Sequence, residues 1–170
     1  MEITQAQAEP QVAQVRDLFV EYAASLGISL CFQSFDRELA ELPGAYVPPE
    51  GRLLLALDEN EPVGCVALRR LSDGVCEMKR LYMRPKFRGQ KAGRRLALAA
   101  IGEARRIGYR RVLLDTLPSM TEAIGLYRSL GFVEVEPYTV NPVPGALFMR
   151  LRLSPAQLST SPSLPLWSEG

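Results

Sequence analysis

The sequence predicts an α/β (α+β) domain, a mixed and mostly antiparallel sheet with a central parallel pair, and three observations predict it. First, the β-rich runs RLLLALD, EPVGCVALRRL and GVCEMKRLYM follow one another, separated by turn signals at Asp58-Glu59-Asn60 and Ser72-Asp73-Gly74. Such spacing makes an antiparallel meander. Second, the apolar period then changes to that of a helix and is followed by the compact strand RVLLDT. A strand–helix–strand succession favours a right-handed crossover and a parallel pair. Third, two more strand-like runs, residues 132–135 and 146–153, close the domain around an NPVPG loop.

The remaining elements follow from periodicity and punctuation. Val12, Val15, Phe19, Tyr22 and Leu26 recur at helical spacing, giving a helix over 11–26 that stops before Gly27. SFDRELAELPG predicts a short helix capped by Ser34, supported in its first turn by Glu38 and ended by Pro43-Gly44. AYVPPE is then a loop. Ala92, Leu96, Ala100, Ala104 and Ile107 form one face of a helix over 91–107, with basic residues on the other face and Gly108 as its stop. A further helix, capped by Ser119 or Thr121, runs through Leu130. Residues 1–153 thus read as one domain, and the Pro- and Ser-rich residues 154–170 as a tail.

Composition narrows the chemistry. Histidine is absent, which removes the commonest general base near neutral pH and the commonest transition-metal ligand. Cys31, Cys65 and Cys76 lack any C-x-x-C spacing, so neither a disulfide framework nor a metal site is expected. No run approaches the length of a membrane-spanning helix, and the acidic, glutamine-rich start is unlike a signal peptide, so a soluble cytoplasmic protein is expected. Residues 79–111 carry twelve of the twenty Lys and Arg but one of the nineteen acids. Charge segregated in this way suits an anionic partner, a phosphorylated small molecule or nucleic acid; the alternative is a solvated basic helix paired with acids elsewhere.

The densest part of that charge is RPKFRGQKAGRRL, residues 84–96, between a strand and a helix. Unpaired N–H groups and the dipole at a helix start attract anions, so Gln90, Lys91, Ala92, Gly93 and Arg94 can cradle a phosphate, with Arg88 and Lys91 adding charge and Gly89 giving room. The spacing fits neither G-x-x-x-x-G-K-[ST] nor G-x-G-x-x-G.

Taken together, EMKRLYMRPKFRGQKAGRRL, LLDT and AIGLYRSLGF resemble the Gcn5-related N-acetyltransferase (GNAT) superfamily across residues 52–153, most strongly across 77–132. The family loop has Arg or Gln, two residues, Gly, one residue, then Gly or Ala. Arg88 and Gly93 match, while Lys91 occupies the place of the first glycine. We expect Lys91 in the first helical turn, with negative φ and its amide toward the phosphates.

The resemblance implies a twisted sheet of six to seven strands flanked by about four helices, with acetyl-coenzyme A as co-substrate and no metal. It implies that the backbone around Leu81, Tyr82 and Met83 receives the thioester, that Ala123 borders the coenzyme and that Tyr127 reaches its sulfur. Tyr127 also fits a plain core position on an amphipathic helix. Glu77 is the leading base, acting through water; its alternative is a surface carboxylate paired with Arg69 or Arg70. The acceptor, a small-molecule or peptide amine, is expected among Phe32, Gln33, Phe35 and Tyr46, in the segment where this fold varies its substrate wall, and Tyr138 and Asn141 before the last strand, with Asp115 and Glu77 attracting its cation; the same aromatic and amide groups equally suit loop packing. Neither nucleic acid nor a membrane is an expected partner, and a homodimer stands open beside a monomer. A non-catalytic acyl-coenzyme A-binding regulator is the second reading, and a nucleic-acid-binding module the third.

Overall fold

The computed structural model describes residues 1–30, 34–89 and 91–154. Cys31, Phe32, Gln33, Gln90 and residues 155–170 lie outside them. Seven strands form one sheet: β1 Glu2–Gln5, β2 Arg52–Asp58, β3 Glu61–Ser72, β4 Val75–Met83, β5 Arg111–Thr116, β6 Val133–Val135 and β7 Leu147–Arg152. Their spatial order is β1-β2-β3-β4-β5-β7-β6, and β4–β5 is the parallel pair in an otherwise antiparallel arrangement. Among the described residues four α-helices flank it, α1 Gln11–Ser25, α2 Phe35–Glu41, α3 Ala92–Ile107 and α4 Thr121–Ser129.

Both faces of the sheet are covered, which is why the strands read as near-continuous apolar runs. Alternate residues divide between two cores. Leu53, Leu55, Cys65 and Ala67 face Val12, Val15, Leu18 and Phe19 of α1. Leu54, Ala56, Val66 and Leu68 face Leu96, Ala100, Ile101 and Ala104 of α3. The alanines let α3 approach the sheet closely, and fully burying a side chain such as Leu96 stabilises the fold by about 1.5–3 kcal/mol.

Turn chemistry sets the register. Glu59 and Asn60 both take positive φ (48° and 67°) in the two-residue β2–β3 turn, the twist such hairpins prefer. Gly64 lies opposite Met83, and a Cβ there would collide with the Met83 sulfur and the Tyr82 carbonyl. Only glycine allows β3 to lie this close to the end of β4.

Three local expectations are corrected. Residues 2–5 form a strand, β1, that the sequence does not announce: with Ile3 as the single apolar residue of EITQ, pairing to β2 rather than alternation makes it a strand. Within the predicted loop AYVPPE, a 3-10 turn spans Gly44–Tyr46. No serine or threonine caps α2 or α4 through its side chain; Ser34 at the start of α2 is left-handed (φ 55°), and Met120 precedes α4. Among the described residues, no helix is long and apolar enough to cross a membrane.

Candidate active site

The site arises where two paired strands separate. β4 and β5 pair only from Val75–Arg111 to Glu77–Leu113, although β4 runs on to Met83 and β5 to Thr116. A bulge in β4 drives the separation. Cys65 lies opposite Tyr82 and Ala67 opposite Lys79, so Arg80 and Leu81 together face Val66, with Arg80 at φ 59°. An extra residue on one strand bends and twists it, here away from β5.

On the α3 side of this opening lies a groove of about 720 Å³. Leu81, Tyr82, Met83, Arg88, Gly89, Lys91, Ala92, Gly93 and Ala123 line it, as the sequence predicts. The N–H groups of Ala92 and Gly93, in the first turn of α3, have no acceptor among the described residues, and no side chain caps the helix. Free donors at a helix start beside basic side chains suit a phosphate or pyrophosphate.

Two predicted features of the loop are otherwise than expected. Lys91 is not in the first helical turn; it is the residue before it, left-handed at φ 57° and ψ 22°. Gly89 (φ 91°) and Lys91 both take positive φ just before α3, a backbone setting that favours anions. Lys91 therefore sits in left-handed geometry, which favours glycine, at a cost of about 1–2 kcal/mol. Arg94 turns its side chain to Ser129 Oγ of α4 (3.0 Å) and does not line the groove. Arg88 is partly committed: its Nε donates to the Met83 carbonyl (3.0 Å) and its guanidinium lies over Tyr82, leaving its terminal nitrogens to the groove.

A narrow throat, about 30 Å³, leads from the groove between β4 and β5. It shares Tyr22, Leu26, Leu81 and Met120 with the groove, and Tyr127 lines it. Tyr127 is buried against Phe132, yet its hydroxyl has no hydrogen-bond partner among the described residues and opens on the throat. Burial, then the charges around Tyr22 and Asp115, raise its pKa well above the usual phenol value. Core position and site position are one here.

The throat opens on a third cavity, about 360 Å³, with which it shares Lys79 and Asp115. Tyr46, Arg69 and Glu77 belong to this cavity. Glu77 is 2% exposed, so the surface alternative is incorrect, although its pairing with Arg69 is present: Arg69 Nε donates to Oε1 (2.8 Å) and the Tyr138 hydroxyl to Oε2 (2.6 Å). Asn141 Nδ2 donates to Asp115 Oδ2 (3.0 Å). These two bonds fasten the β6–β7 loop over the cavity, and burial followed by the Glu77 charge lifts the Tyr138 pKa far above its ordinary range. Phe35 is corrected from cavity wall to core: it is buried beneath the Arg80 guanidinium, 5.2 Å from its ring centre. Phe32 and Gln33 lie outside the described residues.

Sequence reasoning missed Tyr22, Lys79 and the Arg80–Glu38 pair. Arg80 is 4% exposed and forms two hydrogen bonds to Glu38 (3.0 and 3.1 Å), holding α2 against the bulge. No periodicity signals a buried arginine on an apolar strand. The one available hint is KR interrupting MKRLYM, which charge counting assigned to the basic segment.

With the geometry in view, comparisons identify its kind. The family model described as acetyltransferase (GNAT) family matches residues 13–132. An uncharacterized N-acetyltransferase of Schizosaccharomyces pombe is 44% identical over 139 residues, covering 81% of this chain and 85% of the relative. The crystal structure of an acetyltransferase from Streptococcus agalactiae superposes with TM-score 0.74 at 25% identity, over 89% of this chain and 98% of that one. A GNAT family acetyltransferase from Elizabethkingia anophelis with acetyl-coenzyme A bound superposes with TM-score 0.65 at 22% identity, over 89% and 97%. The chain belongs to the acetyltransferase (GNAT) family.

Proposed function

We propose that this acetyltransferase moves the acetyl group of acetyl-coenzyme A onto a primary amine of a small molecule or peptide, by direct attack within a ternary complex in the cytoplasm. The observation that carries this reading is the row of three adjoining cavities that share lining residues, a basic groove, a small throat and a charged cavity, with an unpartnered tyrosine hydroxyl in the smallest of them. Acetyl-coenzyme A in the Elizabethkingia anophelis structure supports the choice of donor.

The groove residues fit that donor. The free N–H groups of Ala92 and Gly93, the charges of Lys91 and Arg88, and the curved backbone at Gly89 would hold its pyrophosphate. When bound, the donor supplies an activated acyl group. Leu81 and Met83 would present backbone N–H groups to the carbonyl as negative charge develops there.

The amine must arrive neutral. At pH 7 a lysine-like amine with pKa near 10.4 costs about 4.6 kcal/mol to deprotonate, so a base or desolvation has to offset this. Asp115 docks the ammonium, and Glu77 takes its proton through water; a carboxylate has about four lone-pair sites, and Arg69 and Tyr138 occupy two of those on Glu77. The amine nitrogen bonds to the acyl carbon as the carbon–sulfur bond breaks, and Tyr127 donates its proton to the departing thiolate. Burial makes Tyr127 a weaker acid but keeps it protonated, and the same dry throat makes the thiolate a stronger base. Direct attack is favoured because, among the described residues, the cysteines Cys65 and Cys76 line none of the three cavities, and burial pushes Cys76 up to about 12.

Free-thiol release from acetyl-coenzyme A, with and without a mixed amine library, tests the reading. Acceptor-dependent thiol is expected. Coenzyme binding with no thiol from any amine would instead leave a non-catalytic acyl-coenzyme A-binding protein.

A further inference from the structure

Charge pairing around the throat and the third cavity leaves a specific remainder. Four cations and four acids line these two spaces. Arg80 pairs with Glu38, Arg69 with Glu77 at 2.8 Å, and Arg37 with Glu41 at the exposed rim at 2.9 Å. Asp115 is left without an ion pair, and Lys79 has only a long ion pair to Glu77, a carboxylate already bonded to Arg69. Lys79 and Asp115 are also the two residues that line both spaces, so they stand at the mouth of the throat.

Neither is fully satisfied among the described residues. Lys79 Nζ lies 3.8 Å from Glu77 Oε1, too far for a hydrogen bond, and that oxygen already receives Arg69. Among the described residues Lys79 has no hydrogen-bond acceptor, although its side chain is 10% exposed. Burial and neighbouring Arg80 pull its pKa below the ordinary lysine value, the behaviour of a cation short of compensating charge. Asp115 accepts from Asn141 through Oδ2 and forms no ion pair among the described residues. No ion pair joins the two to each other.

We propose that the acceptor is a free amino acid, its ammonium received by Asp115 and its carboxylate by Lys79. A zwitterion brings one charge of each sign, the complement of this remainder, and it supplies the acceptor that Lys79 lacks. A simple amine would answer Asp115 and leave Lys79 bare; a peptide N-terminus, with an amide beside its amine, would do the same. This inference rests on the proposed acetyl transfer and narrows its acceptor.

The test compares each amino acid in a mixed panel with its amide and with its decarboxylated amine, reading free-thiol release as kcat/KM. A charge-assisted hydrogen bond in a dry site is worth about one to two powers of ten, so the acid should exceed its amide by about 10- to 100-fold for the preferred side chain. In Lys79→Met that ratio should collapse to within about 2-fold, chiefly through KM for the acid. Amides or decarboxylated amines serving as well as acids in the unaltered protein would overturn the proposal, whether or not the variant folds. A ratio that survives Lys79→Met would overturn the assignment to Lys79. If no amine releases thiol, the acetyl-transfer reading fails separately; calorimetric titration of amino acid against amide, with coenzyme A present, then decides the zwitterion site. Binding of the acid alone supports it, and equal binding or none overturns it.

Discussion

The two ends of the passage are built from different materials. In the groove beside α3 the free donors are backbone groups at a helix start, next to a bulge and to the positive-φ residues Gly89 and Lys91, with α1 and α4 supplying the other wall. The acceptor cavity is walled by α2 and the turn that follows it, and its charge is set by side chains from β3, β4 and β5 whose pairing runs between elements, Arg69 and Tyr138 on Glu77 and Asn141 on Asp115. A backbone cradle is local and tolerates changes in side chain. A side-chain cavity is non-local, and one substitution alters its charge balance.

Tyr127 stands between the two ends, so its loss should have the largest effect. In Tyr127→Phe the ring and its contact with Phe132 persist while the proton donor goes, and kcat should fall about 10²- to 10³-fold with coenzyme affinity changed less than about 2-fold. Because burial raises this phenol above 10, the unaltered enzyme should keep its acid throughout the pH range of an ordinary assay. Unchanged turnover would make Tyr127 a core residue only.

Next comes Glu77→Gln on the acceptor side. It should reduce kcat about 10- to 100-fold, most strongly at low pH, with recovery as the amine loses its proton unaided. Glu77 also holds Arg69 and Tyr138, so stability should drop as well; because Arg69 is 37% exposed, the cost should be nearer 1–2 kcal/mol than the 3–5 kcal/mol of a wholly buried pair. A pH–rate profile parallel to that of the unaltered enzyme, with only the melting temperature lowered, would assign Glu77 to structure alone.

Arg88→Ala probes the groove and should act in the opposite kinetic sense. Loss of one cation and of the Nε bond to the Met83 carbonyl should weaken coenzyme binding about 10-fold in isothermal titration, with kcat at saturation changed little. Affinity that survives would mean that the backbone donors of α3 suffice for the phosphates.

This contrast also explains what the sequence made legible. β2, β4, β5 and α3 fall within a residue of expectation because strong apolar periods and glycine or turn residues bound them. The groove residues on the β4–α3 side were legible for the same reason, lying close together in sequence, whereas those contributed by α1 and, Ala123 apart, by the start of α4 were not. Arg80, Lys79 and Tyr22 were not, because their significance comes from a strand bulge and from which charges pair across elements, and neither leaves a period. Phe35 failed in the other direction: an aromatic in a variable segment suits a cavity wall and a core equally, and Arg80 above it decides for the core.

Lys91 supplies the finest test, because a loop glycine position holding lysine joins the backbone and side-chain kinds of construction in one residue. Its φ of 57° costs a lysine about 1–2 kcal/mol, while glycine there escapes that cost but loses about 0.4–1 kcal/mol to the freer unfolded chain. Lys91→Gly should therefore leave stability equal or raise it by up to about 1.6 kcal/mol in urea unfolding, and weaken coenzyme binding about 2- to 3-fold through the lost cation. Lys91→Val places a β-branched residue in the same left-handed position and should destabilise, by about 1 kcal/mol or more. If valine proved harmless and glycine costly, Lys91 would have negative φ, α3 would begin one residue earlier, and the phosphate cradle would be a plain helix start rather than one preceded by positive-φ backbone at Gly89 and Lys91.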